Sequence, residues 1–118
     1  VDVRTSAEWQ FVGLPDLTPL NRRPLLSEWQ TYPDMSVNAA FAEETDAALS
    51  AAGIAKTTPV FLLCRSGARS RAAAAALTGL GYSAAYNIAH GFEGDPDSDG
   101  HRGAINGWKA DNLPWRQG

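Results

Sequence analysis

Pro59-Val60-Phe61-Leu62-Leu63-Cys64-Arg65-Ser66-Gly67-Ala68-Arg69-Ser70 is the stretch that decides the fold. A proline opens four consecutive apolar residues, which reads as a strand buried on both faces of a parallel sheet. At Cys64 the polarity changes and a short glycine-containing segment begins. Ser70 then opens an alanine-rich helix to about Leu80, with Gly81 ending it. Five alanines in a row at 72–76 let that helix lie close against a sheet. The unit is strand, polar loop, helix.

Outward from this unit the same alternation continues. Ala84-Ala85-Tyr86-Asn87-Ile88 is a further, weaker strand. Upstream, Asn38 caps a helix to about Ala52, with Gly53 just past its end. Phe41, Thr45, Ala48, Leu49 and Ala52 form its apolar face, against Glu43, Glu44 and Asp46. Leu25-Leu26-Ser27-Glu28-Trp29 is a short strand closed by Tyr32-Pro33-Asp34, while Gly13, Pro15, Pro19 and Pro24 make residues 13–24 a loop. At the start, Val1-Asp2-Val3 is a strand end. Thr5 with Glu8 three residues on forms a capping box for a short helix carrying Trp9 and Phe11. Strands alternating with helices indicate an α/β domain with a mostly parallel sheet.

Composition bounds the rest. A chain of 118 residues is the size of one domain, residues 1–118. Hydrophobic residues at 44% and charged residues at 19% suit a globular domain and exclude a disordered or fibrous one. No apolar run approaches the ~20 residues of a membrane span. A net charge of −3 argues against nucleic acid as a partner. No targeting signal is visible, and the expected compartment is the cytoplasm. With one cysteine there is no internal disulfide, no Cys-rich zinc site and no C-x-x-C pair. No cofactor is called for, and a monomer is expected.

Cys64 stands at the carboxyl end of the most hydrophobic strand, the edge at which open α/β sheets bind ligands. The following helix N-terminus brings partial positive charge and unpaired N–H groups. Arg65 and Arg69 add full charges. All three favour thiolate over thiol, and the same N–H groups suit an arriving anion. The residues therefore describe an activated sulfur nucleophile in an anion pocket.

At this point the chain resembles the rhodanese (sulfurtransferase) family. The resemblance rests on Asp2-Val3-Arg4 with Glu8, on the loop Cys64-Arg65-Ser66-Gly67-Ala68-Arg69, on Gly81-Tyr82, and on Gly91 before Trp108. It implies a rhodanese-like α/β fold, with a mostly parallel central sheet of four to five strands flanked by helices on both faces. The family's first strand and helix would lie upstream of Val1. Counting the helix from Ser70 leaves a six-residue loop, the rhodanese length; related dual-specificity phosphatases carry seven, with His before the Cys and Arg six positions after it. Here Leu63 and Ser70 stand at those two places.

The resemblance implies a sulfurtransferase. Cys64 would take a sulfane sulfur from thiosulfate or a persulfide and pass it to cyanide or a thiol, small or protein-borne. Arg65, Ser66, Gly67, Ala68 and Arg69 would bind the anionic donor. A non-enzymatic sulfur carrier or docking module is the main alternative, and a Cys-based phosphatase or arsenate reductase a distant third. Asp2 and Arg4 are expected to form a buried structural pair. His90 is read as a solvated loop residue that could instead flank the pocket. Asp95, Asp97, Asp99 and His101 superficially resemble a calcium loop but lack its closing Glu, Asn106 standing there instead, so no metal is expected. The long acidic loop 93–107 is expected to wall the active-site mouth and tune which donor enters. Trp108 and Trp115 are expected to anchor the C-terminus.

Overall fold

The structure, a computed structural model, describes residues 1–31 and 34–117. Tyr32 and Pro33, of the expected closing turn, lie outside the described residues. In chain order the elements are α1 (Ser6–Phe11), β1 (Leu14–Pro15), a 3₁₀ turn (Thr18–Leu20), β2 (Gln30–Thr31) and β3 (Ser36–Val37). Then come α2 (Phe41–Ala51), β4 (Val60–Leu62), α3 (Ala68–Gly79), β5 (Ala85–Asn87) and β6 (Trp115–Arg116).

β4 and β5 pair in parallel with Val60 opposite Ala85 and Leu62 opposite Asn87. On the other side of β4, Asp2 forms single-residue parallel bridges to both Leu63 and Leu26. Backbone bonds Val3 N–H to Leu63 O, at 2.8 Å, and Asp2 N–H to Leu25 O, at 2.8 Å, carry the ladder across. The spatial order is therefore Leu26, Asp2, β4, β5, and every pairing is parallel. The expected strand at 25–29 is reduced to the bridge at Leu26, because Gln30 and Thr31 turn away into an antiparallel hairpin with β3.

Val3, Val60 and Leu62 bury one face of this sheet against Phe41 and Leu49 of α2 and Ala73, Ala74 and Leu77 of α3. Trp29 closes over Phe41 edge-on, with ring centroids 5.2 Å apart. The expected apolar face of α2 narrows to Phe41, Thr45 and Leu49; Ala48 and Ala52 are exposed. Nor does Asn38 cap that helix. Its side chain accepts from Ala40 N–H within the preceding turn, and Ala40 occupies the cap position.

The opposite face departs from expectation. Phe61 and Tyr86 point there, stacked on each other at 5.4 Å and 55% and 51% exposed. Among the described residues no helix covers them, so the run Val60–Leu63 is not buried on both sides. Mutual stacking removes only part of each ring from water. Nearer the N-terminal strand this face is filled instead by Arg4, Phe92 and the C-terminal segment. Arg4 Cζ lies 4.3 Å from the centre of the Phe92 ring, and Trp115 meets that ring edge-on.

Asp2 and Arg4 form the expected buried pair, with side chains 1% and 0% exposed. Arg4 Nη2 donates to Asp2 Oδ2 at 2.7 Å and to Gly13 O at 2.7 Å, and Arg4 Nε donates to Asp2 Oδ1 at 3.0 Å. Removing one partner of such a pair strands a charge in the interior, at a cost of about 3–5 kcal/mol. Asp2→Ala is expected to lower the unfolding free energy by that amount, read as a lower urea midpoint; a change below about 1 kcal/mol would show the pair to be exchangeable for water.

Candidate active site

β4 delivers the chain to Leu63 and Cys64, and Cys64 is 1% exposed. The loop that follows is shorter than its sequence suggests. Gly67 takes φ +111° and caps α3, so the helix starts at Ala68 rather than Ser70. Ala68 and Arg69 are good helix formers, and a left-handed glycine before them permits the early start. The loop count from Ser70 therefore measures sequence spacing, not the irregular segment itself.

Two glycines let backbones approach where a side chain would not fit. A Cβ on Gly67 would sit 2.1 Å from Ala89 O, and one on Gly91 would sit 2.5 Å from both Cys64 O and Arg65 O. Behind the loop, Phe92 N–H donates to Cys64 O at 2.8 Å, and Glu93 and Gly94 N–H donate to Arg65 O at 2.9 and 3.1 Å. The segment 91–94 thus holds the loop from its inner side.

Donors converge on the sulfur. Gly67 N–H donates to Cys64 Sγ at 3.1 Å and the Ser70 hydroxyl donates at 3.2 Å. Ser70 is fully buried, and its one hydroxyl proton is shared between Cys64 Sγ and Asn87 Oδ1, which lies closer at 2.5 Å. Burial pushes the Cys64 thiol up. The Ser70 hydroxyl and the N–H groups of Ser70, Gly67 and Ser66 more than offset this, leaving it below the ordinary thiol range. Hydrogen bonds, more than the two guanidiniums, tip the sulfur toward thiolate.

A cavity of about 310 Å³ opens beside Cys64, lined by Glu8, Gln30, Met35, Arg65, Ser66, Ala68 and Arg69. Of the six residues singled out in the loop, five line it; Gly67 instead turns its N–H to the sulfur. Arg65 is exposed, whereas Arg69 is not free: its Nη1 and Nη2 donate to the two carboxylate oxygens of Glu8 at 2.6 and 3.0 Å. Donating to Glu8 raises the Arg69 guanidinium above its usual range; burial pushes Glu8 up, but Arg69 and Thr5 bring it below the usual carboxylate range overall.

The sequence model of the rhodanese-like domain family matches residues 1–95, every element from α1 to β5. The chain belongs to the rhodanese-like domain family. A solved structure, Rv0390 from M. tuberculosis, is 49% identical and superposes with a TM-score of 0.87 over 99% of this chain and 82% of its own. Uncharacterized proteins of Rickettsia are also similar. RC0915 of Rickettsia conorii and the RP600 homolog of Rickettsia rickettsii are each 41% identical over 98% of this chain and 80% of their own length.

Within this rhodanese-like domain, several expectations shift. The loop 93–107 contributes none of the described residues around the cavity; Glu93 and Gly94 sit behind the Cys64 loop, and the rest folds on itself through Arg102 to Gly94 O and Asp95 with Asn106. Met35 and Gln30 line the cavity instead. His90 is exposed and outside the cavity lining. Trp108 and Trp115 do tie down the C-terminus, through Trp108 Nε1 to Pro114 O at 2.6 Å and the Trp115–Phe92 contact.

Sequence reasoning assigned no site role to Glu8, Ser70 or Asn87. Glu8 was visible as the third residue of a capping box, a structural role it also has. Ser70 was visible as a hydroxyl six positions after the thiol. Replacing Ser70 by Ala removes a charge-assisted bond of about 1.5 kcal/mol. The apparent pKa of Cys64, read from iodoacetamide alkylation rates against pH, is expected to rise by about one unit. An unchanged profile would show that backbone N–H groups alone hold the thiolate.

Proposed function

We propose that this rhodanese-like domain is a sulfurtransferase that carries a sulfane sulfur on Cys64. The observation that supports it is the convergence of the Gly67 N–H and the Ser70 hydroxyl on Cys64 Sγ, at the wall of a cavity that also contains Arg65. A thiolate stabilised by fixed donors is a ready nucleophile, and the same donors can hold the negative charge that a persulfide presents.

The first half-reaction is attack of the Cys64 thiolate on the outer sulfur of the donor. With thiosulfate the S–S bond breaks, sulfite leaves with the electron pair, and Cys64 keeps the sulfur as Cys–S–S⁻. In the second, cyanide or a thiolate attacks that outer sulfur and Cys64 returns as thiolate. Arg65, Ser66, Gly67, Ala68 and Arg69 form the donor-binding loop in this reading. The chain has one cysteine, so no internal thiol resolves the persulfide and the acceptor comes from outside. That same fact favours a second reading, a carrier that hands its sulfur to a protein thiol rather than turning over on small acceptors. Both readings share the first half-reaction.

Intact mass before and after a sulfur donor tests the proposal. Wild type is expected to gain one sulfur atom and to lose it again with cyanide, while Cys64→Ser gains nothing. Loss of that sulfur to cyanide in repeated cycles supports the enzyme; loading without turnover supports the carrier. No gain from thiosulfate or from a persulfide sinks both.

A further inference from the structure

Two guanidiniums line the cavity, but one of them is already matched. Glu8 holds Arg69 through both carboxylate oxygens, with the two side chains 19% and 16% exposed, so the pair is largely withdrawn from water. The carboxylate itself is fixed from behind, since Thr5 N–H and the Thr5 hydroxyl donate to Glu8 Oε1 at 3.2 Å each. Around the sulfur, Arg65 and Arg69 are balanced by Glu8 and the Cys64 thiolate. With Arg69 and Glu8 cancelling each other, a dianion entering this space meets one free cation, Arg65, among the described residues and one unpaired negative group, the Cys64 sulfur.

The cavity's size argues in the same direction. About 310 Å³ lies at the lower end of the range of roughly 300–1,000 Å³ found for organic ligands. Ala68, Met35 and the stem of Gln30 offer apolar surface at its wall. Thiosulfate has no carbon skeleton to place against them.

We infer, resting on the sulfur-transfer reading, that Glu8 is a specificity-determining residue: by neutralising Arg69 it disfavours the thiosulfate dianion and leaves the pocket suited to a small organic persulfide of single negative charge. The step balances as the Cys64 thiolate attacking the outer sulfur of R–S–S⁻. The donor's S–S bond breaks, R–S⁻ leaves with the electron pair, and Cys64 holds Cys–S–S⁻.

The test compares kcat/KM for thiosulfate and for cysteine persulfide in wild type, Glu8→Gln and Arg69→Gln. Glutamine at position 8 keeps the capping-box geometry and removes the charge. The thiosulfate-to-persulfide ratio is expected to rise about tenfold in Glu8→Gln, the effect of one unit charge at close range, and to fall in Arg69→Gln. The rise should shrink with added salt. A purely structural Glu8 would lower both donors together and leave the ratio unmoved, which overturns the inference. Failure of wild type to take sulfur from either donor is read before any variant is made; it overturns the sulfur-transfer reading and this inference with it.

Discussion

A buried ion pair sits at the point from which the active-site end of this domain is built. Asp2 lies between two parallel neighbours, bridged to Leu63 and to Leu26, and Arg4 reaches back to its carboxylate. The same guanidinium donates to Gly13 O and lies over Phe92. The end of α1 and the segment at Phe92 are thereby held against one charge. Arg4 Nε and Nη2 are satisfied while buried Nη1 finds no partner among the described residues, and a pair that leaves water this fully must keep the bonds it has, so the geometry around it is stiff.

That stiffness reaches the sulfur by a short path. Thr5 follows Arg4 directly and caps α1; Glu8 completes the capping box and clamps Arg69 on α3. Leu63, bridged to Asp2, precedes Cys64. The thiol and the carboxylate that lines the same cavity are thus each one or a few residues from the same buried anchor. The sulfur itself is held by fixed dipoles, a backbone N–H and a hydroxyl, which need no rearrangement to meet a negative charge.

The C-terminal residues lie beyond the family-matched stretch and brace this arrangement from outside. β6 pairs with β1, Gln117 donates to Phe11 O, and Lys109 donates to Val12 O at the end of α1. Lys109 also stands 4.0 Å from the Trp115 ring, and burial lowers its ammonium below the usual range. A short helix of six residues has little stability of its own, so these contacts, with the capping box, keep α1 and Glu8 in place.

Local patterns were enough to read the strand before Cys64, the glycine-marked turn after it, the two long helices and the capping box at Thr5. Each is decided by residues within a few positions of one another. They also pointed to the thiol as the reactive group and to Asp2 with Arg4 as a structural pair. What they misjudged was partnership. Phe61 reads as core by hydropathy but faces outward, Arg69 reads as a free cation but is paired with a residue 61 positions away, and the acidic loop reads as a wall but sets Glu93 and Gly94 behind the Cys64 loop and folds the rest on itself. The sequence by itself determined which backbone turns form and where the one thiol stands, because torsional preference and the chemistry of a side chain belong to single residues and near neighbours. The tertiary structure alone decided the net charge the pocket shows, because charge at a site is a sum over groups that only folding brings within a few ångströms.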